Sequence, residues 1–196
     1  MRVIKLKKIP TIFKRDPENM KLVLNEPHPD CDWVFSGTGV ATQKLDGTCC
    51  LISNGELFRR REVRPGKVAP PGFVEVDCDK NTGKKFGWVR VDPEDPDDRY
   101  HIEAFQKLDS APCGTYELIG PKMQGNPERE ESHILVNHQS ETKVFVNCSR
   151  TFEGLKEWFS NDDIDIEGLV FHNPDGRMAK IKKSDFGFKR KPATPE

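Results

Sequence analysis

The stretch from Val40 to Val63, VATQKLDGTCCLISNGELFRRREV, limits the possible folds more than any other part of the chain. Two runs of β-forming residues meet at Asn54-Gly55, and a two-residue hairpin turn needs positive φ at both central positions, which Asn and Gly tolerate best. A hairpin is therefore expected here, with Lys44 on or just after a strand. Further strands are expected in CGTYELIG and in the apolar halves of HILVNHQ and KVFVNC, with a turn at Gly125-Asn126-Pro127. The segment IEGLVFHNPDGRMAKIKK reads as another hairpin, its turn spanning Asn173-Pro174-Asp175-Gly176. Helical spacing is confined to short pieces: HIEAFQKL, and FEGLKEWF, where Phe152, Leu155, Trp158 and Phe159 share a face and Thr151 is placed to cap. Residues 64–99 carry five prolines and read as loop, and the basic first 15 residues read as short strands with a solvated face. The class is α+β, dominated by antiparallel strands.

A length of 196 residues suits one domain, 1–196, with 189–196 expected as a flexible tail. No apolar run approaches the roughly 18 residues that span a bilayer, so a membrane role is excluded. The 31 Lys+Arg nearly balance the 32 Asp+Glu, but unevenly along the chain. Residues 1–15 hold six bases and no acid, and residues 176–196 hold seven bases against two acids. Such patches suit phosphate contacts, which give affinity without sequence specificity. The acids Asp92, Glu94, Asp95, Asp97 and Asp98 read as a solvated loop. Six cysteines without a secretory segment or a compact framework imply reduced thiols and a cytoplasmic, intracellular setting, and the absence of C-x-x-C pairs argues against structural zinc.

Lys44-Leu45-Asp46-Gly47 places an amine beside an acid and a tight-turn glycine at a strand end. Alone this is a weak signal. It gains weight from four segments that succeed it in order: Arg59-Arg60-Arg61, then Tyr116-Glu117-Leu118-Ile119-Gly120, Glu167-Gly168-Leu169-Val170-Phe171, and Lys180-Ile181-Lys182. A lysine attacks phosphorus only when deprotonated, which nearby cations and partial burial favour. Lys180 and Lys182 share a strand face by the period of two, so both can neutralise a triphosphate, while Lys183 falls on the opposite face and is expected to be solvated.

This series resembles the covalent nucleotidyltransferase superfamily of ATP-dependent ligases and mRNA capping enzymes. It is similar above all to a small family of RNA ligases that includes a vertebrate RNA-repair enzyme, through KLDGTCC, GWVRV, YELIGPKMQGNP, the WF helix before IEGLVFH, and AKIKKSDFGF. The resemblance covers roughly residues 40–190. It implies antiparallel sheets with flanking helices around a nucleotide-binding groove, and adenylation by ATP with Mg²⁺, or Mn²⁺ as an alternative metal. Lys44 is then the nucleophile that becomes lysyl-AMP. Arg60 holds ribose or a phosphate, with Arg59 and Arg61 facing the other way. Glu117 contacts ribose or a metal-bound water, Glu167 organises the metal, Val170 packs on the adenine, and Lys180 and Lys182 bind phosphates. Gln43 stands where related ligases often carry Glu to read the adenine amino group. Phe145 and His138 are candidates for the aromatic on the other adenine face. The implied substrate is RNA with 5′-phosphate and 3′-hydroxyl ends, and no obligate protein partner is evident. Capping enzymes and most DNA ligases append an OB domain after the last motif, whereas 14 residues follow Lys182 here, which favours an RNA-end joiner. The alternatives are a non-catalytic nucleotide or RNA-end binding module, a DNA ligase or a capping-type nucleotidyltransferase.

Overall fold

A computed structural model describes residues 8–80 and 82–191. In chain order the strands are β1 (Phe13–Arg15), β2 (Val23–Pro27), β3 (Val40–Lys44), β4 (Thr48–Ser53), β5 (Glu56–Val63), β6 (Val74–Cys78), β7 (Lys85–Arg90), β8 (Gly114–Ile119), β9 (Ile134–Asn137), β10 (Val144–Phe145), β11 (Gly168–His172) and β12 (Met178–Lys182). The helices are α1 (Asp32–Phe35), α2 (Arg99–Gln106) and α3 (Phe152–Ser160). All strand pairs in the sheets are antiparallel, in agreement with the α+β expectation. No helix among the described residues is long and apolar enough to cross a membrane. The described residues group into two compact units, one of Lys8 and 47–141 and the other of 9–46 and 142–191.

The second of these, the four-stranded unit, has the sheet order β10-β3-β11-β12. Period-two alternation gives its sheet two unlike faces. Ala41, Leu169, Phe171, Ala179 and Ile181 point into a core completed by Trp33 and Val34 of α1, Leu155 and Phe159 of α3, and Phe13. Burying side chains such as Leu155 and Phe159 contributes about 2 kcal/mol each. Thr151 caps α3 as its spacing requires, accepting the Gly154 N–H at 3.2 Å. The Arg150 guanidinium donates to the carbonyls of Val34, Thr38 and Gly39 at 2.6–3.0 Å, fixing the loop that delivers β3. Beyond β12, the Pro10–Ile12 segment is tied on by Ile12 N–H to the Lys180 carbonyl and Lys180 N–H to the Pro10 carbonyl, each 2.9 Å. Of the basic N-terminal stretch, residues 1–7 lie outside the described residues, and Phe13–Arg15 is a strand as expected.

The six-stranded unit has the sheet order β6-β7-β5-β4-β8-β9. Its hairpin β4–β5 turns at Asn54 (φ 53°) and Gly55 (φ 75°), the conformation the dipeptide predicts. One sheet face, with Cys50, Ile52, Leu57, Tyr116 and Leu118, packs with Leu135 and Ala104 of α2. The other buries Leu51, Phe58 and Trp88.

Three expectations are corrected. Residues 64–99 are not simply loop, because β6 and β7 lie within them. The prolines flank these strands instead of interrupting them, and their density hid the alternation. Asp98 is not part of a solvated loop: its carboxylate is completely buried 3.1 Å from Arg59 Nε and accepts the Asp92 N–H at 2.9 Å. Lys183 is 4% exposed, not solvated. It donates to the carbonyls of Asn161 (3.3 Å) and Ile164 (2.7 Å), neutral acceptors in the turn that follows α3.

Candidate active site

The pleat of the four-stranded sheet opposite the core gathers most of the residues singled out in the sequence. Lys44 and Lys182 both pair with Gly168 from either side, and Thr42 and Lys180 both pair with Val170. Gly168 leaves the central position of the first row without a side chain, and a Cβ there would lie 2.2 Å from the Ile181 carbonyl oxygen. Lys44 is the last residue of β3, as the sequence predicts.

Glu167 organises this row. One carboxylate oxygen accepts a hydrogen bond from Lys44 Nζ, and the other lies 2.9 Å from Lys182 Nζ. No hydrogen bond among the described residues holds the Lys180 ammonium. Burial, reinforced by Lys44 and Lys182, pushes its pKa down to about 8. Burial works against the charge on Lys182 as well, yet Glu167 and then Asp185 raise its pKa. Asp46 is raised by burial first and by Glu167 second. The site thus concentrates three ammonium groups around one fully engaged carboxylate. Asp185, 3% exposed, closes the strand end by accepting Lys182 N–H at 2.8 Å and the Arg15 guanidinium at 2.7 Å.

Val170 sits between Thr42 and Lys180 on the same pleat, and Thr42 Oγ1 lies 2.9 Å from His172 Nε2. Gln43 and Phe145 take the other pleat. The Gln43 N–H donates to the Lys143 carbonyl at 2.8 Å. Phe145 packs edge-on against Trp158 with ring centroids 5.5 Å apart, so it belongs to the core side. Arg190, in the segment expected as a tail, is held by Asp165, donating to its carbonyl at 2.9 Å. Residues 192–196 of that segment lie outside the described residues.

Arg60 and Glu117 belong to the six-stranded unit. Continuing the registers β5–β4 and β4–β8 places Arg60, Cys49 and Glu117 in one row on one face. Arg60 lies over the Phe86 ring at 5.0 Å, and Arg59 faces the other way toward Asp98, as the alternation requires. Glu117 is 9% exposed and uses both oxygens, one accepting the Gly47 N–H at 3.1 Å and the other 3.0 Å from His138 Nε2. His138, considered in the sequence as an adenine-facing aromatic, is therefore tied to Glu117. Its role was hidden because it follows β9 while Glu117 is in the middle of β8, and only the pairing of those strands brings them together.

Among the described residues no three His, Cys, Asp or Glu side chains are grouped so as to hold a metal ion. The carboxylate available in this row is Glu167, and both of its oxygens face lysine ammonium groups.

An antiparallel α+β protein carrying a lysine–glutamate cluster at strand ends is the class that fold and site define. A sequence profile of RNA ligase 1 matches residues 92–194, just over half of the chain, and the chain belongs to the RNA ligase 1 family. The matched segment includes Glu117, Glu167, Val170, Lys180 and Lys182, whereas Gln43, Lys44 and Arg60 precede it. RNA ligase 1 of Danio rerio is 25% identical, with 93% of this chain and 81% of that protein aligned. RNA ligase 1 of Mus musculus is 23% identical, covering 89% of this chain and 75% of that protein. That of Pongo abelii is 20% identical, covering 76% and 68%.

Proposed function

We propose that this protein is an ATP-dependent RNA ligase that joins 5′-phosphate and 3′-hydroxyl ends through lysyl-AMP on Lys44. The family relationship supports an RNA ligase and an RNA substrate. The observation that carries the adenylation chemistry is the clustering of Lys44, Lys180 and Lys182 around Glu167 on one open pleat. Lys180, without a hydrogen-bond partner among the described residues and disfavoured by burial and by its two ammonium neighbours, has its charge answered when a triphosphate arrives.

In the first step the Lys44 amine, relieved of its proton, forms a bond to the α-phosphorus of ATP. The bond from that phosphorus to the bridging oxygen breaks, and pyrophosphate leaves with the electron pair. Lys180 and Lys182 neutralise the charge that builds on the phosphate oxygens in this in-line displacement. Glu167 holds the amine toward the row in which the displacement occurs. A 5′-phosphate oxygen of the RNA then attacks the AMP phosphorus and releases Lys44. A 3′-hydroxyl finally attacks the 5′-phosphorus and expels AMP, sealing the strand. A Mg²⁺ held by Glu167 would supply charge neutralisation, and Mn²⁺ could replace it; Glu117, in the other unit, is assigned to metal-bound water from the sequence resemblance alone. The base is assigned to Val170, and ribose or phosphate contacts to Glu117 and Arg60. Gln43, on the other pleat, is assigned to the nucleotide only through the backbone it shares with Lys44.

The test is incubation with α-labelled ATP and Mg²⁺, followed by denaturing electrophoresis. Wild type should carry a covalent AMP, and Lys44→Ala should lose it by roughly 10³-fold or more without loss of fold. An adduct on Lys44→Ala at wild-type level would place the nucleophile elsewhere. No adduct on wild type would leave a binding module instead of an enzyme.

A further inference from the structure

The nucleophile-bearing motif ends at Gly47, three residues after Lys44, and Gly47 is fixed with unusual closeness. A Cβ at this position would lie 2.1 Å from the Leu118 carbonyl oxygen and 2.8 Å from Ile119 Cγ2, so no side chain fits without moving β8. Its N–H is directed at Glu117 Oε1 at 3.1 Å. The opposite oxygen of the same carboxylate meets His138 Nε2 at 3.0 Å. His138 is itself held at two points: its N–H donates to the Thr115 carbonyl at 3.1 Å, and Nδ1 lies 3.1 Å from Thr115 Oγ1. Thr115 and Glu117 are two apart on β8 and share a face, so the imidazole spans from one to the other along that face.

The donors and acceptors constrain which ring nitrogen faces the carboxylate. An ionised carboxylate only accepts, so Nε2 carries the hydrogen that faces Glu117, and Nδ1 is left to the Thr115 hydroxyl, which can donate or accept. The carboxylate is then held in one rotation, with one oxygen on Gly47 and one on the imidazole. Each oxygen retains a further lone pair for a ligand hydroxyl.

From this geometry we infer that His138 is a positioning residue of the adenylation reaction: it orients Glu117, and through Glu117 the Gly47 turn that follows Lys44. The inference rests on the adenylation reading for its effect on rate, but not for its effect on the turn. The Thr115–His138–Glu117–Gly47 relay acts without His138 touching the nucleotide. Loss of His138 should therefore slow formation of lysyl-AMP by a larger factor than it raises the ATP concentration for half-saturation, because Glu117 is misaligned but not removed.

The experiment measures single-turnover lysyl-AMP formation on the full chain, with labelled ATP and Mg²⁺, for His138→Leu, His138→Gln, Glu117→Ala and the double variant Glu117→Ala/His138→Leu. His138→Leu should lose about 10- to 100-fold in rate. His138→Gln, whose amide can place a donor near the Nε2 position, should recover to within about fivefold of wild type. In the Glu117→Ala background the Leu substitution should cost less than about twofold more, as expected when one residue acts through the other. A full loss persisting in that background, or a Gln variant as slow as the Leu variant, would overturn the inference. Amide hydrogen exchange at Gly47 provides a readout independent of catalysis. It should accelerate by about tenfold or more in His138→Leu and stay slow in His138→Gln. If wild type formed no lysyl-AMP, the adenylation reading would fail, and unchanged exchange at Gly47 would sink the relay separately.

Discussion

The two units treat buried charge in opposite ways. In the four-stranded unit, Lys44 and Lys182 share Glu167, with Asp46 and Asp185 acting on the cluster from further off, and the pKa of Lys180 is displaced to about 8 because it has burial and like charges around it. In the six-stranded unit the buried acids have partners of their own: Asp98 lies against Arg59, and Glu117 joins Gly47 and His138. The second arrangement holds a fold together, with each charge answered locally. The first leaves the Lys180 ammonium half-buried without a bonded partner, which is unfavourable for the empty protein and useful once an anion arrives. Charges of one sign that stay together at a cost to stability mark a binding site better than a well-matched ion pair does.

The sharpest way to break this contrast is to remove its central carboxylate. Glu167→Ala should reduce lysyl-AMP formation by roughly 10²-fold or more in Mg²⁺, since the variant loses both the group that orients Lys44 and the carboxylate assigned to the cation. Partial recovery in Mn²⁺ is expected, and wild-type activity in limiting Mg²⁺ would remove Glu167 from the site. The matching change in the other unit is Asp98→Ala. It leaves Arg59 Nε beside a void, with only the Asp95 carboxylate at 3.6 Å still facing its guanidinium, and leaves the Asp92 N–H without its acceptor. Because Arg59 keeps some contact with water, a loss of about 2–3 kcal/mol in urea unfolding is expected, below the full cost of breaking a buried pair. A loss under about 0.5 kcal/mol would mean that Asp98 is not a structural charge.

Lys180→Met tests whether the lysine cluster is indeed costly to the empty protein. The side chain keeps its length and loses a charge that has burial and two ammonium groups against it. Stability without nucleotide should rise by on the order of 1 kcal/mol, while adenylation falls by roughly 10²-fold. The pH dependence has a definite sign. A lysine whose folded pKa is about 8 binds fewer protons in the folded state than in the unfolded state between pH 8 and about 10.5, so its contribution to stability rises with pH across that window. The Met variant should lack that rise, and an unchanged profile would show that Lys180 is not displaced.

Much of this was legible from local pattern. Asn54-Gly55, Thr151 as a cap and the one-face placement of Lys180 with Lys182 come from rules spanning a few residues, and each appears as expected. The less legible features depend on partners far along the chain. Lys183 reads as solvated by alternation, yet β12 ends there and the side chain meets carbonyls about twenty residues earlier. Asp98 sits in a run of acids that looks solvated, and only Arg59 on β5 explains why this one is buried. His138 reads as a base-stacking aromatic, and only the β8–β9 register brings it to Glu117. Strands β6 and β7 were hidden for a different reason, since proline content averaged over a window conceals short alternating runs.

The smallest expected effect is the most selective. His101 on α2 is 7% exposed, neither ring nitrogen has a hydrogen-bond partner among the described residues, and Nδ1 lies 3.7 Å from Asp98 Oδ1. Burial lowers its pKa below the usual 6.5, Asp98 opposes that shift, and Arg59 adds to it. The ring is therefore held neutral in the fold and gains a proton more readily in the unfolded chain. Between pH 6.5 and the lower folded value the unfolded state binds more protons, so stability is complete above pH 6.5 and declines as the pH falls through that window. His101→Phe keeps an aromatic of similar size and removes the titration. Urea unfolding at pH 5, 6, 7 and 8 should show wild type losing more stability toward pH 5 than the Phe variant does. The difference arises in the unit whose charges are matched, so it should persist in Lys180→Met, which alters only the alkaline limb. Equal acid slopes for wild type and His101→Phe would mean that His101 titrates as it does in water, and that Asp98 answers Arg59 and His101 together.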